Sequence, residues 1–191
     1  MKTIKRTVVL SLLFLLSLSF SQLHAQGAGS NATNTISLGM PEVFLLQSNS
    51  AQVNLTLTPQ TAGLAVSSSV SSEAARLLIS SVVSGTQTRK ISAMVTNNAV
   101  PAGTYLKLVA MAPNTNFVGT AGNYLPEIDL SSVSAKDIIS GIGTCYSNTS
   151  ADDGYKLRYT FGIPSENPDY SLIRASGGTV VTVTLTLSAG L

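Results

Sequence analysis

The sequence predicts an all-β fold, an antiparallel β-sandwich, and three observations predict it. Apolar residues recur at every second position in several separate segments, which is the period of a strand with one buried face. Those segments are short and are punctuated by Gly, Pro, Asn and Ser, the residues that build turns. No long stretch carries a helical period, so a parallel sheet wrapped in crossover helices is disfavoured. Each alternating segment also pairs an apolar row with a hydroxyl-rich row, as two packed antiparallel sheets require.

The first 25 residues precede this pattern. Lys2, Lys5 and Arg6 form a basic start, Thr7 to Phe20 is almost wholly apolar, and Ser21 to Ala25 is short, polar and ends in a small residue. That order is the signature of a cleaved secretory signal peptide over residues 1–25. Its apolar stretch is short for a membrane span, and an uncleaved N-terminal anchor is the minor alternative. No second long apolar run follows, so no transmembrane span is expected in the processed chain. The expected location is secreted, periplasmic or cell-surface. Residues 26–34 are small and polar and read as a flexible lead-in. Residues 35–191 are expected to form a single domain.

Within that domain the elements follow in order. Ile36, Leu38 and Met40 alternate with Thr35, Ser37 and Gly39 before Pro41 interrupts. Val43 to Leu46 resumes as an apolar run, and Val53, Leu55 and Leu57 alternate with polar neighbours. Ser67 to Ser72 reads as a serine-rich loop. Glu73 to Ile79 is open between a helical turn, by propensity, and a strand, which the following Val82 and Val83 favour. Ile91, Ala93 and Val95 mark a strand, Asn97 to Gly103 a turn, Thr104 to Met111 a central strand, and Pro113 to Gly122 a long turn-rich loop. Ile128 to Ile142 mixes short apolar pieces with Ser and Gly. Asn148 to Gly154 is a loop that turns at Asp152-Asp153-Gly154. The cleanest alternation follows, with Tyr155, Leu157, Tyr159 and Phe161 against Lys156, Arg158 and Thr160. Gly177-Gly178 introduces a last strand in which Val181, Val183, Leu185 and Leu187 alternate with Thr182, Thr184, Thr186 and Ser188.

Charge narrows the function classes. Eight of the eleven Lys and Arg residues lie beyond residue 25, against nine Asp and Glu, a net charge of −1 for the processed chain. No basic patch stands out, and Lys156 and Arg158 read as alternate residues of one strand, so nucleic acid is not an expected partner. The only histidine, His24, leaves with the signal peptide, so triads built on imidazole are excluded from the processed chain. Cys145 is the only cysteine. It excludes an intrachain disulfide framework and a Cys/His zinc site, and reads as a small buried hydrophobe. No phosphate-cradling glycine motif is present.

Carboxylates remain as candidates for chemistry. Glu127 and Asp129 are two apart and share a face if extended, the arrangement an acid–base pair of a glycoside hydrolase would use. A solvated strand edge is the plainer reading. Glu166 and Asp169 flank Pro168 and read as loop residues. Asp152, Asp153 and the nearby Asn148 offer oxygens for calcium but lack the spaced ligand series of a calcium loop, so a turn is the plainer reading. Tyr155, Tyr159 and Phe161 form an aromatic face, read as core. Asn31, Asn54 and Asn148 each begin an N-glycosylation pattern, as Asn-, Ser- and Thr-rich chains often show. No cofactor and no metal is expected.

The ends carry the strongest signal. From Thr179 to Leu191 there is no charged residue, and a hydroxyl-rich strand without charges is poorly protected against pairing with another chain. With its signal peptide, its low-charge Ser/Thr/Asn-rich body, its early Ile36, Leu38, Met40 alternation and its closing Gly177-Gly178-Thr179-Val180-Val181-Thr182-Val183-Thr184-Leu185-Thr186-Leu187, the chain resembles secreted bacterial fimbrial (pilin-type) subunits and spore-coat-U-like β-sandwiches. Asp137 to Thr144 and Tyr155 to Phe161 are similar to stretches of other secreted bacterial proteins. The resemblance implies an immunoglobulin-like (Greek-key) sandwich that polymerises by donating an N-terminal strand to a neighbour's sheet, a form of β-augmentation. Ile36, Leu38 and Met40 would then be donor residues, and Val181, Val183, Leu185 and Leu187 the acceptor or edge strand. The single cysteine departs from the disulfide of many pilins, and Gly190 stands where a penultimate aromatic is usual.

The functional expectation is a secreted, non-enzymatic structural or adhesion subunit whose partners are copies of itself or other surface subunits. The alternatives are a monomeric extracellular glycan-binding module using Pro113 to Gly122, and a carboxylate-dependent hydrolase on Glu127 and Asp129.

Overall fold

The computed structural model describes residues 31–49, 52–58, 61–66, 69–164, 170–175 and 178–190. The expected signal peptide therefore lies outside the described residues, as do Glu166 and Asp169. The chain divides into two units, Met1–Gly39 and Met40–Leu191. In the first, residues 31–39 carry no regular secondary structure.

Among the described residues the second unit has eleven strands. They are β1 (Val43–Ser48), β2 (Ser69–Val82), β3 (Arg89–Asn97), β4 (Tyr105–Met111), β5 (Val118–Gly119), β6 (Asn123–Tyr124), β7 (Ile128–Asp129), β8 (Lys136–Ile142), β9 (Cys145–Tyr146), β10 (Tyr155–Gly162) and β11 (Thr182–Ala189). One sheet runs β5-β9-β2-β10-β4-β7, with β1 also paired to β2, and the other runs β11-β3-β8-β6. Every pairing is antiparallel. Leu45 and Tyr146 both stand opposite Ser80, so β1 and β9 occupy opposite edges of β2.

One core joins the two sheets. Leu77 and Ile79 of β2, Leu108 of β4 and Leu157 of β10 meet Ile91 and Val95 of β3 and Ile138 and Ile139 of β8, and all are buried. Tyr155 is fully buried with them; its hydroxyl donates to the Ala121 carbonyl at 2.7 Å, and its ring stands 5.4 Å from Phe117. An aromatic residue with a polar tip is buried without penalty when that tip finds an acceptor. The core reading of Tyr155 therefore holds, with Tyr159 packed more loosely against the same cluster.

Two expectations change and one left open is settled. Ser69 to Ser72 is strand rather than loop, because Gly162, Phe161, Thr160 and Tyr159 pair with it residue by residue. The ladder and the Ser71–Thr160 hydroxyl bond of 3.0 Å override the turn preference of serine. Glu73 to Ile79 continues the same strand, and the burial of Ala75, Leu77 and Ile79 at period two excludes the helical turn. The Ile36–Met40 alternation belongs to no strand. A period-two pattern becomes a strand only where a neighbouring strand completes its hydrogen bonds, and the first ladder begins at Val43.

The strand order differs from the immunoglobulin constant arrangement. Seven strands have six or more residues. Lettered A to G in chain order, they fall as A-B-F-D in one sheet and G-C-E in the other, where the immunoglobulin constant arrangement is A-B-E-D against C-F-G. The cause is local. After β8 the chain steps to the edge of β2 as β9, and β10 then continues along that same edge, taking the slot between β2 and β4.

Candidate functional site

The least finished part of the sandwich is the margin at β11. Val183, Leu185 and Leu187 face Val95, Ala93 and Ile91 across the ladder. The β3 residues are no more than 1% exposed, whereas the three β11 residues are only half-buried although they pack on the same core. Val181, one residue before the strand, is half-buried as well. β11 pairs with β3 along one edge, and among the described residues no strand pairs with its other edge. Its sequence alternates Thr with Val or Leu, a composition that suits a pleated half-buried surface. The residues expected to act as donors are highly exposed, with Ile36 at 77%, Leu38 at 91% and Met40 at 82%. Val53, Leu55 and Leu57 alternate half-buried with exposed Asn54 and Thr56, without forming a ladder.

A second feature escaped the sequence reading. Arg89, at the start of β3, is 2% exposed. Its guanidinium pairs with Glu42 and lies over the Phe44 ring, while its Nε has no partner among the described residues. A signal for this existed. Arg89 has the parity of Ile91, Ala93 and Val95, so the alternation itself aims it inward.

Of the two carboxylates offered as an acid–base pair, Glu127 meets a cation and Asp129 lines a cleft. Glu127 lies 3.9 Å from Lys107 Nζ. Asp129 stands opposite Lys107 in the β4–β7 pair, and its carbonyl accepts from Lys136 Nζ at 2.8 Å. Asp129 and Lys107 line a cleft of about 660 Å³ with Tyr105, Thr104 and Ser69. Glu127 is not among the residues lining that cleft.

Asp152 is exposed and reaches Arg76 at 3.6 Å. Asp153 is 1% exposed and accepts from Asn114 Nδ2 at 2.8 Å, Asn116 Nδ2 at 3.0 Å and the Ser150 amide at 2.7 Å. These donors, Asn114 and Asn116 foremost, hold its carboxyl down to about 2. N–H groups aimed at a carboxylate stabilise its charge without a cation. The residue thus ties the 112–117 loop, which leads into β5, to the 148–154 loop, and Asn148 adds a bond from its side-chain amide to the Asn116 carbonyl at 2.6 Å.

Cys145 is buried on β9, and burial pushes its thiol up to about 11, which matches the reading of it as a small hydrophobe.

The basic residues are where tertiary structure departs most from the linear reading. Lys156 and Arg158 do not stand alone on β10. Arg76 of β2 lies opposite Lys156, and Lys107 of β4 lies opposite Thr160, so four cations share the outer face of the larger sheet.

In comparisons with known protein families, with curated proteins and with solved structures, the chain matches none.

Proposed function

We propose that this protein is an exported, non-enzymatic structural or adhesion-type subunit that associates with copies of itself through strand pairing at the β11 margin. The observation that carries the reading is the half-buried row Val183, Leu185, Leu187 beside the buried β3 row Ile91, Ala93, Val95. An inward row that stays half-exposed gains free energy when another apolar row covers it, and an unpaired strand edge supplies the hydrogen bonds for that addition. The segment from Asn31 to Met40 has matching chemistry. It is uncharged, its apolar residues are spaced by two, and those residues are exposed. The likeness to immunoglobulin-like pilins enters this reading as two antiparallel layers crossed by one chain, not as a shared strand order. Export rests on the signal-peptide pattern of residues 1–25.

The test is deletion of residues 33–40 in the processed chain, read by size-exclusion chromatography with light scattering. The expected result is conversion of an oligomer to a monomer with an unchanged β-type circular dichroism spectrum. Unchanged assembly removes the strand-pairing reading, and an undeleted chain that stays monomeric at every concentration favours the monomeric binding module.

A further inference from the structure

The strands β2, β10 and β4 are adjacent, and together they carry four cations and one carboxylate: Arg76, Lys107, Lys156, Arg158 and Glu73. The inward parity of these strands is filled by Leu77, Leu157, Leu108 and Ala110, all buried, so Arg76, Lys107, Lys156 and Arg158 project from the outer face, and the register shift between Leu157 and Tyr159 brings Glu73 beside them. Lys156 stands opposite Arg76 and Met111, Arg158 opposite Val109, and Lys107 opposite Thr160. Glu73 serves two cations, 3.5 Å from Lys156 and 3.9 Å from Arg158, and the latter distance is too long for a hydrogen bond. The Lys107, Lys156 and Arg158 side chains remain 36%, 39% and 40% exposed. Glu127 and Asp152, which reach Lys107 and Arg76, lie off these strands. They match those two cations, whereas Lys156 and Arg158 share the one carboxylate of Glu73, so the middle of the face keeps one positive charge in excess.

This face runs into the cleft of about 660 Å³ at Tyr105, Lys107 and Asp129, a size in the range of small-ligand sites. Lys107 Nζ sits 4.8 Å from the centroid of the Tyr105 ring. Between cleft and cations lies the Ser71–Thr160 hydroxyl pair.

We propose that this face binds an acidic polysaccharide, with one sugar ring seated by its hydroxyls in the Tyr105–Lys107–Asp129 cleft and the carboxylates of the chain running over Arg158 and Lys156. Carboxylates of the glycan pair with the cations, and the planar guanidinium of Arg158 takes one in a two-bond fork. Asp129 and the Ser71–Thr160 pair meet sugar hydroxyls, and Tyr105 offers a ring edge and a polar tip to the same ligand. The site is separate from the β11 margin, so it stands or falls independently of subunit assembly.

The test is affinity gel electrophoresis of the processed chain in polygalacturonate, with neutral dextran as control. Polygalacturonate is expected to retard the protein, about 0.5 M NaCl to abolish the retardation by screening, and dextran to leave mobility unchanged. The double variant Lys107→Gln, Arg158→Gln is expected to bind roughly tenfold more weakly. Lys90→Gln, whose lysine pairs with Asp137 on the other sheet, is expected to bind as the parent does. Thermal melts equal to the parent's identify the loss as one of binding. The proposal is overturned if polygalacturonate does not retard the protein, if dextran retards it equally, if Lys90→Gln loses as much as the double variant, or if anionic phosphatidylglycerol vesicles bind more tightly than the glycan.

Discussion

The Arg89 guanidinium carbon lies 3.7 Å from the centroid of the Phe44 ring. The contact joins the two sheets, because Phe44 belongs to β1 and Arg89 to β3. A desolvated guanidinium over an aromatic face is worth about 2 kcal/mol, and Glu42 supplies the countercharge from the residue before β1. The start of β1 is thereby held to the opposite layer by an ion pair and a ring.

Removing the countercharge should cost more than removing the whole pair. Glu42→Gln is expected to lower unfolding free energy by about 1–3 kcal/mol at neutral pH, since it leaves a buried cation under-compensated. Arg89→Met, which keeps the length and apolar stem, is expected to destabilise less than Arg89→Ala. Guanidinium unfolding monitored by circular dichroism measures both differences.

Asp153 gives the fold an acid-sensitive joint. Its carboxyl is held at about 2 in the folded protein against an ordinary 3.8. A carboxyl lowered by folding contributes stability that is fully present above the ordinary value and lost as pH falls through the folded one. Stability is therefore expected to drop between about pH 4 and pH 2. Asp153→Asn should be less stable at neutral pH and should lack that share of the acid slope. Urea midpoints measured across pH 2–7 decide it, and parallel slopes for the two proteins would count against the assignment.

Gly154 is fixed by geometry rather than by chemistry. Its φ is +84°, and a Cβ there would sit 2.3 Å from the Leu77 carbonyl oxygen. Backbone strain and the clash act together, so Gly154→Ala is expected to cost more than about 1 kcal/mol. Gly63→Ala, also at positive φ but in open space, should cost less. Paired thermal melts test the contrast.

Cys145 should be unreactive until the protein unfolds. With its thiol raised from 9.0 to about 11, the thiolate fraction at pH 8 falls roughly a hundredfold. Ellman's reagent is expected to titrate no thiol in the native protein and one in guanidinium. Because the folded thiol resists ionisation, its contribution to stability is present below pH 9 and lost as pH rises toward 11.

The sequence by itself determined the strands β3, β4, β10 and β11, the turns at 98–103 and 148–154 and the burial of Tyr155, because period-two burial is a local property that each segment writes independently. Its parity even marked Arg89 as inward. Only the tertiary structure decided that Ser69 to Ser72 is strand and that Ile36 to Met40 is not, since a ladder needs a partner and the partner is distant in sequence. The same holds for Lys107, Arg76, Lys156 and Arg158. They are scattered over some eighty positions and become one face only when β2, β10 and β4 lie side by side. Charge acts through space, and spatial neighbours are set by the order of strands in a sheet.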